Sequence, residues 1–98
     1  DFSLSRGLGD VYKRQANTIG KMMKTIGSKI QIISISHLPQ VASRADHHFK
    51  VFKSNINDNI VSNITELNGQ DRINEIASMI SGEKITESAI NQARELLK

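Results

Sequence analysis

The hydrophobic positions change period several times along the chain, and each change marks an element. From Ala16 the apolar residues Ile19, Met22, Met23 and Ile26 follow the i, i+3, i+4, i+7 spacing of an amphipathic helix. Gly27 and Ser28 are suited to end it. Ile30–Ser36 then reads as a strand. Ile32 and Ile33 are adjacent, so apolar side chains fall on both faces, the pattern of a central strand covered on both sides. Pro39 starts a short helix, since its missing N–H costs nothing in a first turn; Val41, Ala42 and Ala45 would form the inner face. Residues 47–53 and 60–67 read as an antiparallel hairpin around the polar turn Ser54–Asn59. Asn68-Gly69 breaks the chain. Ile73, Ile76, Ala77 and Ile80 mark another amphipathic helix, ending near Gly82. Thr86 is the expected N-cap of a last helix carrying Ile90, Ala93 and Leu97.

Residues 1–15 show neither period. Gly7 and Gly9 make a Gly-x-Gly, but no third glycine follows at the dinucleotide-fingerprint spacing. The segment resembles the translated adapter tail at the ends of some assembled environmental reading frames. It is expected to be non-native or disordered, which leaves 16–98 as the folding unit.

Composition narrows the function classes. Ninety-eight residues with 38% apolar and 4% aromatic content allow one modest core of Ile, Leu, Val and Met. The formal charge of +3 is too small for a dedicated nucleic-acid patch, and few aromatics are available for base stacking. With no cysteine, neither a disulfide framework nor a thiolate metal site is possible. No apolar run approaches the roughly 20 residues of a membrane span. His47 and His48 are adjacent; in a strand they point to opposite faces and do not jointly chelate a metal. Lys21, Lys24 and Lys29 read as a solvated face around the first helix and its exit.

His37 is the candidate for chemistry. A covered strand that ends in two small polar residues and a histidine, just before the only proline, holds an imidazole at the carboxyl edge of a sheet. Open α/β sheets bind ligands at that edge. One ring nitrogen can donate to a phosphate oxygen while a backbone carbonyl holds the other. The plainer alternative is a strand-end histidine hydrogen-bonded only to its neighbours.

The order of residues in Ile33-Ser34-Ile35-Ser36-His37-Leu38-Pro39-Gln40-Val41-Ala42 resembles the switch-histidine segment of ABC-type ATPase heads, within them the SMC-related heads of bacterial DNA repair. Ala45-Asp46-x-His48-Phe49-x-Val51-x-Lys53 continues the likeness, as do Arg72-Ile73-x-Glu75-Ile76-Ala77-x-Met79-x-Ser81-Gly82 and Ala93-Arg94-Glu95-Leu96-Leu97. Ser36 stands where the family usually has threonine. The resemblance covers residues 16–98. It implies an α/β fold, the C-terminal portion of a P-loop NTPase head of ABC/SMC type. It also implies that His37 is catalytic, sensing the γ-phosphate and helping to place the hydrolytic water. The parent would use ATP and Mg²⁺, act on DNA double-strand breaks, pair with a second head as a homodimer, and work in the bacterial cytoplasm at the nucleoid, with no membrane partner.

No Gly-x-x-x-x-Gly-Lys-Ser/Thr loop occurs in the chain, nor a recognisable signature motif or Q-loop. In the family the Asp-Glu pair for Mg²⁺ would lie just upstream of Ala16. The chain by itself is therefore expected neither to bind nucleotide tightly nor to hydrolyse it. Two readings from other classes stand beside this one. A free-standing α/β interaction module would use its last two helices to hold a partner and treat His37 as structural. A small basic nucleic-acid binder is disfavoured by the charge and the scarcity of aromatics.

Overall fold

The computed structural model describes the backbone of residues 2–98 and the side chains of residues 9–98. Its elements are α1 (Phe2–Gly27), α2 (Pro39–Ala42), β1 (His48–Ile56), β2 (Asn59–Leu67), α3 (Gly69–Ser81) and α4 (Glu87–Leu96). The architecture is mixed α/β with one two-stranded antiparallel sheet.

The core sits between α3 and α4. Ile76, Ala77, Ala89 and Ala93 are buried together, and Ala42 of α2 with Ile73, Met79, Ile80, Ile90, Leu96 and Leu97 pack around them. Three of the four buried residues are alanines, whose small side chains let the helices approach closely. Ile76, at 0% exposure, is the one large side chain among the described residues that is fully buried. The ends of both helices are set by local chemistry. Gly82 takes a left-handed φ of 83° at the end of α3 and its N–H donates to the Ser78 carbonyl. The Thr86 hydroxyl accepts from the Ala89 N–H at 3.1 Å, the expected N-cap.

The hairpin forms as the alternation predicts, but its turn is tighter. His48 pairs with Leu67 and the register runs on to Ile56 opposite Asn59, leaving Asn57-Asp58 as a two-residue turn. Both have positive φ, 50° and 65°, as a type I′ turn requires, and Asn and Asp tolerate that conformation best after glycine. Among the described residues, one face of the hairpin is tied to α3 by a single ion pair, with Phe52, Ile56 and Val61 on that face exposed. Leu67 is buried there, and Lys50 pairs with Glu75 of α3 at 2.8 Å. The other face carries Phe49, Val51, Ile60 and Ile64, all exposed.

Two expectations are corrected. Ile30–Ser36 does not form a strand. Residues 31–38 run without regular structure; Ile33 is 87% exposed and Ile35 fully exposed. A covered parallel strand needs neighbours on both edges to take its N–H and C=O groups. The only strands among the described residues, β1 and β2, pair with each other. The second correction concerns residues 1–15. Instead of lacking regular structure, residues 2–15 form the first half of α1. Asp1 and the side chains of residues 2–8 lie outside the described part. From Gly9 to Gln15 every residue is exposed, and Ala16 is the first that is buried.

The buried edge of α1 also differs from the apolar stripe in its sequence. Ala16 and Gly20 are buried and Met23 half-buried, whereas Ile19, Met22 and Ile26 are exposed. Gly20 explains the choice. A Cβ at this position would stand 2.6 Å from the Gln40 carbonyl oxygen, so only glycine lets α1 come this close to α2. The radius of gyration is 15.4 Å, against about 13 Å for a compact domain of 100 residues.

The α3–α4 core yields a direct test. Ile76→Ala is expected to lower unfolding free energy by about 2–5 kcal/mol, the range for a fully buried large-to-small change. Urea denaturation of the two proteins measures it, and a loss below about 1 kcal/mol would show that α3 and α4 do not enclose this side chain.

Candidate functional site

His37 lies at the end of the extended run, two residues before α2. It is exposed. The local chain is shaped by Ser36, whose hydroxyl oxygen accepts the Leu38 N–H at 3.0 Å, and by Pro39 at the first helical position. Leu38 is extended, with φ −99° and ψ 120°, as a residue before proline must be. The sequence thus makes a sharp junction: extended backbone up to Leu38, then one helical turn. In that turn the Val41 and Ala42 N–H groups donate to the Leu38 carbonyl at 3.1 and 3.0 Å, and the Ser43 N–H donates to the Pro39 carbonyl at 3.0 Å.

α2 is held from both sides. On one side is the glycine contact from α1. On the other is Arg72 of α3, which the motif comparison included but to which no role was assigned. Its Nη2 donates to the carbonyl oxygens of Ala42 and Ser43 at 3.4 Å each and of Ala45 at 2.6 Å. Ala42 ends α2, Ser43 is its C-cap and Ala45 lies just beyond; the Ala42 carbonyl also accepts the Ala45 N–H at 3.3 Å. A cation at a helix C-terminus is favoured by the peptide dipoles. The contact joins residues 27 to 30 positions apart. No local periodicity could have announced it.

The segment after α2 carries two charged groups with shifted ionisation. A hydrogen bond from the Lys24 ammonium of α1 holds the Asp46 carboxyl below the usual carboxylate range, and the attraction of its charge adds to that. Lys24 is thus paired rather than simply solvated. Burial pushes the His48 imidazole below its ordinary value, and Arg72 pushes it further while Glu75 partly opposes. The His48 Nδ1 and the Arg72 Nε are both buried without a partner. His47, by contrast, is exposed and its Nδ1 lies 2.9 Å from a Glu66 carboxylate oxygen. The two histidines therefore take different surroundings.

Among the described residues no group of three or more His, Cys, Asp or Glu side chains is placed to hold a metal ion. The residues present do not fit a Mg²⁺ site, and no phosphate-binding loop accompanies His37. An open concavity on the outer face of α4, lined by Glu87, Asn91, Arg94 and Glu95 among others, shares no residue with the His37 segment. No helix among the described residues is long and apolar enough to cross a membrane.

No protein-family model matches the chain. Curated proteins do. The DNA repair protein RecN of Rickettsia bellii is 40% identical over 82 residues, which is 84% of this chain and 15% of that protein. RecN of Deinococcus radiodurans is 38% identical over 82 residues, again 84% of this chain and 14% of that protein. This chain is homologous to a segment of RecN. RecN of Haemophilus influenzae, at 31% over 84 residues, extends the likeness to a third group of bacteria. The chain thus spans about 15% of the length of the RecN proteins it matches, and the DNA repair likeness read from the sequence agrees with their name.

The His48 environment generates a pH prediction. The fold favours neutral imidazole, so the unfolded chain takes up the proton first as pH falls through about 6.5. Stability should be full above that value and decline below it. Urea midpoints at pH 7.5 and 5.5 are expected to differ more for the natural chain than for His48→Gln. Equal differences would show that His48 does not contribute.

Proposed function

We propose that this chain is the C-terminal part of the ATPase head of a RecN-type protein, an ATP-hydrolysing protein of DNA double-strand-break repair. In this reading His37 is the switch histidine. The observation that carries the reading is the uncovered isoleucine run. Ile33 and Ile35 lie open to solvent in a stretch that ends at His37, and burying such side chains is worth about 1.5–3 kcal/mol each. An apolar run with no cover inside a chain that matches some 15% of its relatives is what a central strand becomes without its neighbours. Insertion into a larger parallel sheet would bury both its faces, satisfy its backbone and bring His37 to the carboxyl edge.

The parent supplies what these residues lack. Mg²⁺ and a phosphate loop, carried elsewhere in the protein, would neutralise the triphosphate charge and fix it in place. This chain's part is narrower. The Ser36 hydroxyl and Pro39 fix the backbone on either side of His37, and the imidazole N–H can donate to a γ-phosphate oxygen or orient the attacking water. A donor of this kind acts mainly as charge moves in the transition state. DNA and a second head, as homodimer partner, are the macromolecular partners of the proposed parent. The bacterial cytoplasm, at the nucleoid, is its place of action.

The test is His37→Ala in the full-length protein that carries this sequence. ATP turnover is expected to fall about hundredfold, the scale of removing one transition-state donor, with nucleotide affinity retained. Steady-state ATPase assays, nucleotide titration and a thermal melt read the three quantities. Unchanged turnover in the folded variant would remove His37 from the mechanism.

A further inference from the structure

Arg72 spends its guanidinium on backbone. It is half-buried, makes no salt bridge among the described residues, and directs one nitrogen at the carbonyls of Ala42, Ser43 and Ala45. α2 has only four residues. A single turn has too few hydrogen bonds to hold itself together in water. What keeps it in place comes from outside: the Gly20 contact at Gln40 on one side, the packing of Ala42 against the α3–α4 core, and Arg72 at the C-terminal end. At the other end of the same turn the backbone passes through Leu38 to His37.

We propose that Arg72 is the positioning residue for His37: from α3 it pins the carbonyl end of α2, and through that rigid turn it sets where the imidazole stands. This rests on the reading of His37 as the switch histidine. The chemistry favours arginine for the task. Its planar fork can reach several carbonyls from one place and stays charged at every physiological pH, whereas a lysine ammonium is a single point of charge. α3 is a suitable anchor because Ile76 and Ala77, on the same helix, are fixed in the α3–α4 core. Arg72 therefore links the α3–α4 core to the half-buried turn that follows the candidate group.

Two measurements test the proposal. In the 98-residue chain, Arg72→Met should speed hydrogen exchange of the Ala42 and Ser43 amides and leave the amides of α3 and α4 unchanged. In the full-length protein, Arg72→Met should slow ATP turnover about ten- to hundredfold, the scale of a small misplacement of a reacting group, without changing nucleotide affinity. Arg72→Lys should recover part of the rate. Adding Arg72→Met to His37→Ala should cost nothing further, since Arg72 acts only through His37. If His37→Ala itself leaves turnover unchanged, the reading of His37 fails and this inference with it. If His37→Ala slows turnover but Arg72→Met does not, or if the two losses multiply, the inference alone is overturned. Loss of the whole fold in both Arg72 variants, or unchanged exchange at Ala42 and Ser43, also overturns it.

Discussion

Ala77, Ala89 and Ala93 have no side chain beyond Cβ, and all three are buried where α3 meets α4. Their size sets the separation of the two helices, and Ile76 fills the space that remains. Much else in the chain is attached to α3 once that contact is made. Glu75 takes the Lys50 ammonium and fixes one face of the hairpin. Arg72 takes the carbonyl end of α2. Side chains on one helix thus serve the core, the hairpin and the turn next to His37. Disturbing the helix pair would loosen all three together.

The opposite constraint governs residues 30–36. Their side chains are as apolar as any in the chain, but as a strand they would need neighbours on both edges and cover on both faces. The hairpin does not supply them, since β1 and β2 pair with each other alone. The outer hairpin face, with Val51 and Ile64, and the Ile19, Met22 and Ile26 stripe of α1 are uncovered in the same way. Three apolar surfaces on one small chain, together with a radius of gyration above that of a compact domain, have one economical physical explanation: the chain packs fully only against further structure.

What the sequence made legible is what local forces decide. The two C-terminal helices, the Thr86 cap, the Gly82 stop, the proline-started turn and the hairpin all follow from spacing and from turn chemistry within a few residues. The misreadings arose where a distant contact wins. The Ile30–Ser36 pattern has a strand's spacing, but a strand is a property of its neighbours, and among the described residues it has none. In α1 the apolar stripe was taken as the packing face, whereas Ala16 and Gly20 are buried because close approach to Gln40 demands small residues. Arg72 lies in a stretch that resembles the family, but its three carbonyl partners are nearly thirty residues away, beyond the reach of any local pattern. His37 was legible as a candidate; the structure leaves it exposed two residues before α2, on no sheet edge.

The central claim is that the isoleucine run is a strand waiting for its sheet. Hydrogen exchange at residues 30–36 tests it most directly, compared between the 98-residue chain and the full-length protein that carries it. The account predicts fast exchange of these amides in the chain and strong protection in the full-length protein, as expected for a central strand paired on both edges. Fast exchange in both would contradict it and leave His37 on a loop with no sheet edge to serve.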